Sequence, residues 1–81
     1  MLDLSSNKLS GSLGQGLATL TQIRELNLSS NRLNNIDGLS TLVSLETLEV
    51  SQNVIEDIRE VIRLQRNANL RELALAGNPI A

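Results

Sequence analysis

Apolar residues recur along the chain in short groups that share the pattern Leu-x-Leu-x-x-Asn, with valine in place of one leucine. The four copies end at Asn7, Asn31, Asn53 and Asn78, so the asparagines lie 24, 22 and 25 residues apart. A pattern that returns at such a regular distance predicts an array of similar structural units, each of which packs on its neighbours.

Alternation around each Leu-x-Leu predicts one short β-strand per repeat, with the leucines on one face and polar residues on the other. Leu26-Asn27-Leu28 is the simplest example. Because every repeat would place its strand in the same way, we expect the strands to stack in parallel. The remaining apolar residues would return on the opposite side and cover the buried face.

The asparagine after each strand is a candidate buried residue. Its side-chain amide can accept a hydrogen bond from one backbone turn and donate to another where the chain bends away from water. We therefore expect a structural asparagine ladder made of Asn7, Asn31, Asn53 and Asn78. The alternative role, an ordinary surface turn residue, applies more readily to the first and last of them.

A helix is predicted on the return side of the third repeat, over residues 57–66. Asp57 and Glu60 have the spacing of a capping box. Segment 37–42 of the second repeat also begins with a capping residue, but its glycine and its short length predict only one or two turns. The residues spaced for one face of the longer helix are Ile58, Val61, Ile62 and Gln65.

Further apolar positions complete a motif that resembles the leucine-rich repeat family over essentially the whole chain. One set lies three positions before a copy and the other two positions after each asparagine: Ile23, Leu45 and Leu70, and Leu9, Leu33, Ile55 and Ile80. The resemblance implies an α/β fold, a right-handed solenoid that forms a horseshoe segment. Its parallel sheet would lie on the concave side, with short helices or turns on the convex side.

The spacing within repeats resembles two classes of this family. The second repeat, residues 26–45, looks like the 22-residue class typified by the regulatory subunit of nuclear protein phosphatase 1. The first repeat, with Leu9-Ser10-Gly11-Ser12-Leu13, is similar to the plant receptor class, although the Ile-Pro expected after the glycine is missing. Asn67-Ala68-Asn69 is inserted into the third repeat, and the closing Gly77-Asn78-Pro79-Ile80 favours the first class.

Composition limits the chemistry that the chain can perform. Its 81 residues suffice for one domain, and they include no cysteine, no histidine and no aromatic residue. Lys8 is the only lysine. The usual nucleophiles, the usual general base and the usual zinc ligands are therefore missing, and we expect no catalytic residue, no metal and no cofactor.

Charge and hydropathy favour a protein partner. Seven basic and nine acidic residues give a formal net charge of −2, which argues against nucleic-acid binding and against a polybasic membrane patch. No apolar run approaches the roughly 20 residues that a membrane span requires. The expected partner is thus a protein, with no nucleic acid and no membrane.

The polar side of the predicted sheet carries four carboxylates and no basic residue. Parallel strands lie about 4.8 Å apart, so these groups would form an acidic strip that could steer a basic protein surface. A solvated surface without a partner is the alternative. The family resemblance implies protein binding on this side, and the expected contact residues are Asp3, Glu25, Asn27, Thr47, Glu49 and Glu72.

We expect residues 1–81 to form a single segment of about three and a half repeats within a longer array, because Met1 and Ala81 fall inside repeats. Flanking repeats or self-association would cover the leucines at the open ends. The expected function is an intracellular protein-binding scaffold in the cytoplasm, nucleus or cytoskeleton. A structural spacer and a fragment of an extracellular receptor ectodomain remain open as alternatives.

Overall fold

The computed structural model describes residues 2–11, 20–36, 39, 42–65 and 67–80. Within these ranges the chain forms short strands, each followed by a turn, and one α-helix. The strands are β1 (Leu2–Asp3), β2 (Ser10–Gly11), β3 (Glu25–Asn27), β4 (Arg32–Leu33), β5 (Thr47–Glu49) and β6 (Glu72–Ala74), and helix α1 spans Ile58–Gln65.

One strand from each repeat contributes to a four-stranded parallel sheet in the order β1, β3, β5, β6. Leu26 lies opposite Leu2 on one side and Leu48 on the other. Hydrogen bonds continue the pairing beyond the strands, since the Leu28 N–H donates to the Glu49 carbonyl oxygen at 2.7 Å. The predicted parallel stacking is therefore confirmed.

Strands β2 and β4 form a second, two-stranded parallel sheet after the turn. The Arg32 N–H donates to the Leu9 carbonyl oxygen at 2.7 Å, and the Val54 N–H donates to the Leu33 carbonyl oxygen at 2.9 Å. Successive repeats are thus joined by backbone hydrogen bonds on both sides of the turn, as expected for a repeat solenoid.

The core consists of aliphatic side chains from the second and third repeats. The buried apolar residues are Leu26, Leu28, Leu33, Ile36, Leu39, Leu42, Leu45, Leu48, Val50, Ile55, Val61 and Leu64. The equivalent leucines of the edge strands, including Leu2 and Leu73, pack against this cluster but are only partly buried. Each edge strand has a neighbour on one side of the sheet only, so its leucines are covered on one side only.

Each repeat turns through a residue with a left-handed backbone immediately before its asparagine. The φ angles of Ser6, Ser30, Gln52 and Gly77 are 57°, 59°, 58° and 79°. This conformation is unfavourable for residues other than glycine, so the contacts of the turn must hold it in place. At the last of these turns a Cβ would lie 2.6 Å from the side chain of Gln52, which makes glycine the residue that fits.

Helix α1 begins directly after Asp57, as the capping residue predicts. Asp57 Oδ1 accepts a hydrogen bond from the Arg59 backbone N–H at 2.9 Å, which satisfies one of the free donors of the first turn. No helix within the described ranges has the length and apolar character needed to cross a membrane. The turn predicted over 37–42 and the last residue of the predicted helix, Arg66, fall largely outside the described residues.

The buried face of α1 differs from the prediction. Val61 and Leu64 are buried, whereas Ile62 is 47% exposed and Gln65 is also exposed. Val61, Ile62 and Gln65 therefore do not share the one buried face that their helical spacing predicted. The buried residues Ile55, Val61 and Leu64 instead lie at multiples of three positions along the repeat.

The segment Asn67-Ala68-Asn69 forms the turn that closes the return side of the third repeat. The Leu70 N–H donates to the Asn67 carbonyl oxygen at 3.1 Å, just as the Leu45 N–H donates to the Leu42 carbonyl oxygen at 3.0 Å. Asn67 thus takes the place that Leu42 has in the preceding repeat. The additional residues of the third repeat consequently lie before this turn, in the segment that contains α1, and not in the turn itself.

Replacing Leu64 with alanine should destabilise the protein by about 2–5 kcal/mol, because it leaves a cavity in the core. The Ile62→Ala variant on the outward side of the same helix should lose less than about 0.5 kcal/mol. Urea denaturation of both variants measures the difference. Equal losses would contradict the assignment of the buried helical face.

Candidate protein-binding face and asparagine ladder

The polar side of the four-stranded sheet carries its side chains in two rows that run across the strands. The register gives a first row of Glu25, Thr47 and Glu72 and a second row of Asp3, Asn27, Glu49 and Ala74. We call this surface the acidic face. In both rows a neutral residue separates the carboxylates, so that no carboxylate lies directly opposite another on the adjacent strand.

This alternation limits the repulsion between the four carboxylates. Two carboxylates of the same row lie two strands apart, or about 10 Å, which is beyond the Debye length of about 8 Å at physiological ionic strength. Among the described residues, no Lys or Arg forms an ion pair with Asp3, Glu25, Glu49 or Glu72. Within the described ranges, no ion pair therefore neutralises the four charges of the acidic face.

Serine residues at the ends of the strands orient the second row. Asp3 Oδ1 accepts hydrogen bonds from the Ser5 hydroxyl at 2.6 Å and from the Ser5 backbone N–H at 2.9 Å. These two donors hold the pKa of Asp3 below its usual value of 3.8. Asn27 Oδ1 accepts the equivalent backbone hydrogen bond from Ser29 at 3.0 Å. In the sequence, the signal for these contacts is a serine two positions after the acidic or amide residue.

The predicted contact residues differ in their exposure. Asp3, Glu25 and Glu72 are exposed, whereas Glu49 is half-buried, as are Asn27 and Thr47. The register brings all six onto the same side of the sheet. The exposed carboxylates thus lie on β1, β3 and β6, whereas the half-buried residues lie on the two inner strands, β3 and β5.

Asn31 lies buried where the chain leaves the sheet. Its Oδ1 accepts hydrogen bonds from the backbone N–H groups of Asn7 at 2.9 Å and Leu9 at 3.0 Å, both in the preceding repeat. Its Nδ2 donates to the carbonyl oxygens of Leu4 at 3.0 Å and Leu28 at 2.9 Å. A single side chain therefore joins the turns of two successive repeats.

Asn53 repeats this arrangement one turn later and is 4% exposed. Its Oδ1 accepts from the Leu33 N–H at 3.0 Å, and its Nδ2 donates to the carbonyl oxygens of Leu28 at 3.0 Å and Val50 at 2.9 Å. The Leu28 carbonyl oxygen thus accepts amide hydrogens from two asparagines, Asn31 and Asn53, and both of its lone pairs are used.

Asn78 makes the last of these bridges and is also buried. Its Oδ1 accepts from the Ile55 N–H at 3.1 Å, and its Nδ2 donates to the Val50 carbonyl oxygen at 2.9 Å. The following residue, Pro79, has no N–H to donate. The Ile80 N–H forms the hydrogen bond to the previous repeat instead, with the Ile55 carbonyl oxygen at 3.3 Å.

Asn7 differs from the other three because it is exposed. Its Nδ2 donates to the carbonyl oxygens of Leu4 at 2.9 Å and Ser5 at 3.0 Å, both in its own turn. Strand β1 is an edge strand, so the sheet offers no earlier turn for this side chain to reach. Asn7 takes the surface-turn role that the sequence left open as an alternative.

Two further asparagines join repeats on the return side. Asn67 Nδ2 donates to the Leu42 carbonyl oxygen at 2.9 Å, and Asn69 Nδ2 donates to the Val43 carbonyl oxygen at 2.7 Å. The repeat spacing predicted an insertion at both residues and did not indicate this contact. In the sequence, these contacts could have been inferred from the two asparagines next to the predicted end of the helix.

Comparison with known protein families identifies the repeat. A family model described as leucine-rich repeats in two copies matches residues 21–63, which is more than half of the chain. The chain belongs to the leucine-rich repeat family. Leucine-rich repeat models also match residues 1–20 and residues 66–81.

Curated leucine-rich repeat relatives are similar over most of the chain. A leucine-rich repeat-containing protein of Schizosaccharomyces pombe is 38% identical over 96% of the chain, and the centrosomal protein of 72 kDa of Mus musculus is 38% identical over 84%. The serine/threonine-protein kinase 11-interacting protein of Homo sapiens is 36% identical over 98%. The chain spans 13%, 10% and 7% of the lengths of these relatives.

The comparisons support a general role in protein interaction and a repeat solenoid fold. Leucine-rich repeats are typically non-catalytic, and the names of these relatives describe no enzymatic activity of their own. No group of acidic, histidine or cysteine side chains within the described ranges has the arrangement of a metal site.

Replacing Asn53 with alanine should destabilise the protein by about 1–3 kcal/mol, because buried backbone groups of two repeats lose their partner. Asn7→Ala is the matched control and should cost less than about 0.5 kcal/mol, since its side chain is exposed. Equilibrium denaturation compares the two. A loss at Asn53 no larger than the loss at Asn7 would show that the bridge contributes little.

Proposed function

We propose that the chain is a protein-binding scaffold that holds its partner on the acidic face, on the concave side of a horseshoe segment, and that it performs no catalysis. The register of the sheet carries this proposal, because Asp3, Glu25, Glu49 and Glu72 share one surface without a local counter-charge. Membership of the leucine-rich repeat family supports a role of this kind.

The proposed partner is a protein with a basic surface. Four carboxylates in alternating rows produce a summed negative potential that extends further than any single contact. Asn27 and Thr47 lie among these carboxylates, and both can form hydrogen bonds in the half-buried part of the face. Because the chain has no aromatic residue that could serve as an anchor, we expect electrostatic attraction to contribute more to the association rate than to the lifetime of the complex.

We also propose that residues 1–81 are a segment of a longer array. Its second repeat belongs to the 22-residue class of leucine-rich repeats, and its first repeat is similar to the plant receptor class. The partly buried leucines of the edge strands support this proposal, since a flanking repeat or a second copy would cover them. The small share of each relative that the chain spans is consistent with it. An intracellular location is supported by the centrosomal relative.

The partner-binding proposal predicts a specific effect of charge. Reversing Glu25 and Glu49 to lysine should slow association with a purified basic partner more than it accelerates dissociation, and added salt should weaken binding of the wild type. Surface-binding kinetics at two salt concentrations measure both effects. Glu46→Lys, which changes a charge outside the two rows of the acidic face, is the control.

Unchanged association rates in the double variant would show that the partner docks elsewhere, and the outer helix near Arg59 and Arg63 would be the next surface to test. Retention of no partner at all by the wild type would favour the structural spacer. An extracellular partner would favour the receptor ectodomain.

The array proposal predicts that the isolated chain self-associates or is marginally stable, because Leu2, Leu4, Leu73 and Leu75 are only partly covered. Sedimentation velocity over a range of concentrations, together with thermal melts, measures both properties. A clearly stable monomer at all concentrations would contradict the proposal.

A further inference from the structure

An open groove lies beside the second sheet, where loops of the second and third repeats run next to each other. It has a volume of about 440 Å³ and is lined by Asn34, Asn35, Val54, Glu56 and Asp57. We call it the edge groove. The hydrogen bond from the Val54 N–H to the Leu33 carbonyl oxygen, 2.9 Å long, fixes the two loops in this arrangement.

The groove combines an apolar surface with several hydrogen-bond acceptors. Val54 is 47% exposed, although the aliphatic residues on either side of it in the same repeat, Val50 and Ile55, are buried. Asn34 and Asn35 follow β4 and bring two side-chain amides to the groove, with Asn35 Nδ2 donating to Asn34 Oδ1 at 3.4 Å. A ligand with an aliphatic part and several donors would match both features.

One of the two carboxylates in the groove is already bound by a guanidinium group. Arg59 Nη2 lies 2.8 Å from Asp57 Oδ2, and Arg59 Nε lies 3.1 Å from each carboxylate oxygen. This contact lowers the pKa of Asp57 from 3.8 to about 2, so Asp57 stays ionised and paired with Arg59. Glu56, by contrast, forms no ion pair within the described ranges and is exposed. The groove therefore carries one uncompensated negative charge.

We propose that the edge groove binds an arginine side chain of a protein partner, with the aliphatic stem on Val54 and the guanidinium group against Glu56 and the Asn34 amide oxygen. A guanidinium group has five donors in one plane, which suits several acceptors better than the compact ammonium group of lysine. The adjacent pair of Asp57, before α1, and Arg59, in its first turn, is an example of the same contact. The site lies outside the acidic face and is independent of it.

The probe for this site is N-acetyl-arginine N-methylamide, titrated into the 81-residue chain while the NMR signals of the Val54 methyl groups and the Asn34 side-chain amide are followed. The citrulline analogue is the matched control ligand, because it has nearly the same shape without the charge. Glu56→Gln removes the charge in the groove, and Glu46→Gln makes the same change elsewhere. Val54→Ser removes the apolar surface from an exposed position.

Saturable shifts at Val54 with the arginine probe, and none with the citrulline analogue, are the expected result. Glu56→Gln should weaken binding about two- to fivefold, as expected for the loss of one exposed ion pair, and Glu46→Gln should leave it unchanged. Val54→Ser should weaken it as well. Equal shifts with both ligands, unchanged binding in Glu56→Gln, or shifts confined to the acidic face would overturn the proposal.

Discussion

The hydrogen bonds of buried asparagine side chains to the turns are the interaction on which the rest of the structure depends. After each strand the chain passes through a left-handed residue and leaves backbone groups that cannot reach water. The carbonyl oxygens of Leu4, Leu28 and Val50 each accept two side-chain amide hydrogens, one from their own repeat and one from the next. Because these bonds fix how successive turns align, they also fix the register of the strands and the rows of side chains on the acidic face.

The acidic face shows how a repeat protein can hold like charges on one sheet. The two rows alternate carboxylates with neutral residues, and adjacent strands carry their carboxylates in different rows. No two carboxylates lie directly opposite each other on adjacent strands, which reduces their repulsion, while the summed potential at a distance is retained. The edge groove is different in kind, because it offers an apolar surface and one carboxylate to a single side chain.

Much of this fold could be predicted from the sequence because it depends on periods of two and of about 23 residues. Alternation identified the strands and their polar side, and the fixed position of Asn31 and Asn53 after each strand pointed to residues that the structure buries. The start of α1 followed from Asp57, whose capping role is local. The helical face could not be derived from helical spacing alone, because Val61 and Leu64 belong to the buried cluster that includes the second repeat, whereas Ile62 is exposed.

Other features could not be predicted because they are contacts between residues that are far apart in the sequence. The contacts of Asn67 and Asn69 join residues that are 25 and 26 positions apart, and no local pattern distinguishes them from a polar insertion. The edge groove likewise arises from two loops in different repeats. The left-handed conformations of Ser6, Ser30 and Gln52 could not be predicted from the sequence, because serine and glutamine, unlike glycine, do not favour that conformation.

The asparagine bridges run from each repeat back to the one before it, and this gives the solenoid a chemical polarity. At the β1 edge, no N–H of the described residues donates to Asn7 Oδ1, whereas at the β6 edge the Leu75 carbonyl oxygen receives hydrogens only from Asn78 of its own turn. A neighbour at the first edge must supply backbone N–H groups, and a neighbour at the second must supply a side-chain amide. Two copies of the same edge cannot supply these complementary hydrogen-bonding groups to each other. Any assembly that extends the ladder must therefore be head-to-tail, a geometry that gives an open chain or a ring and not a twofold dimer.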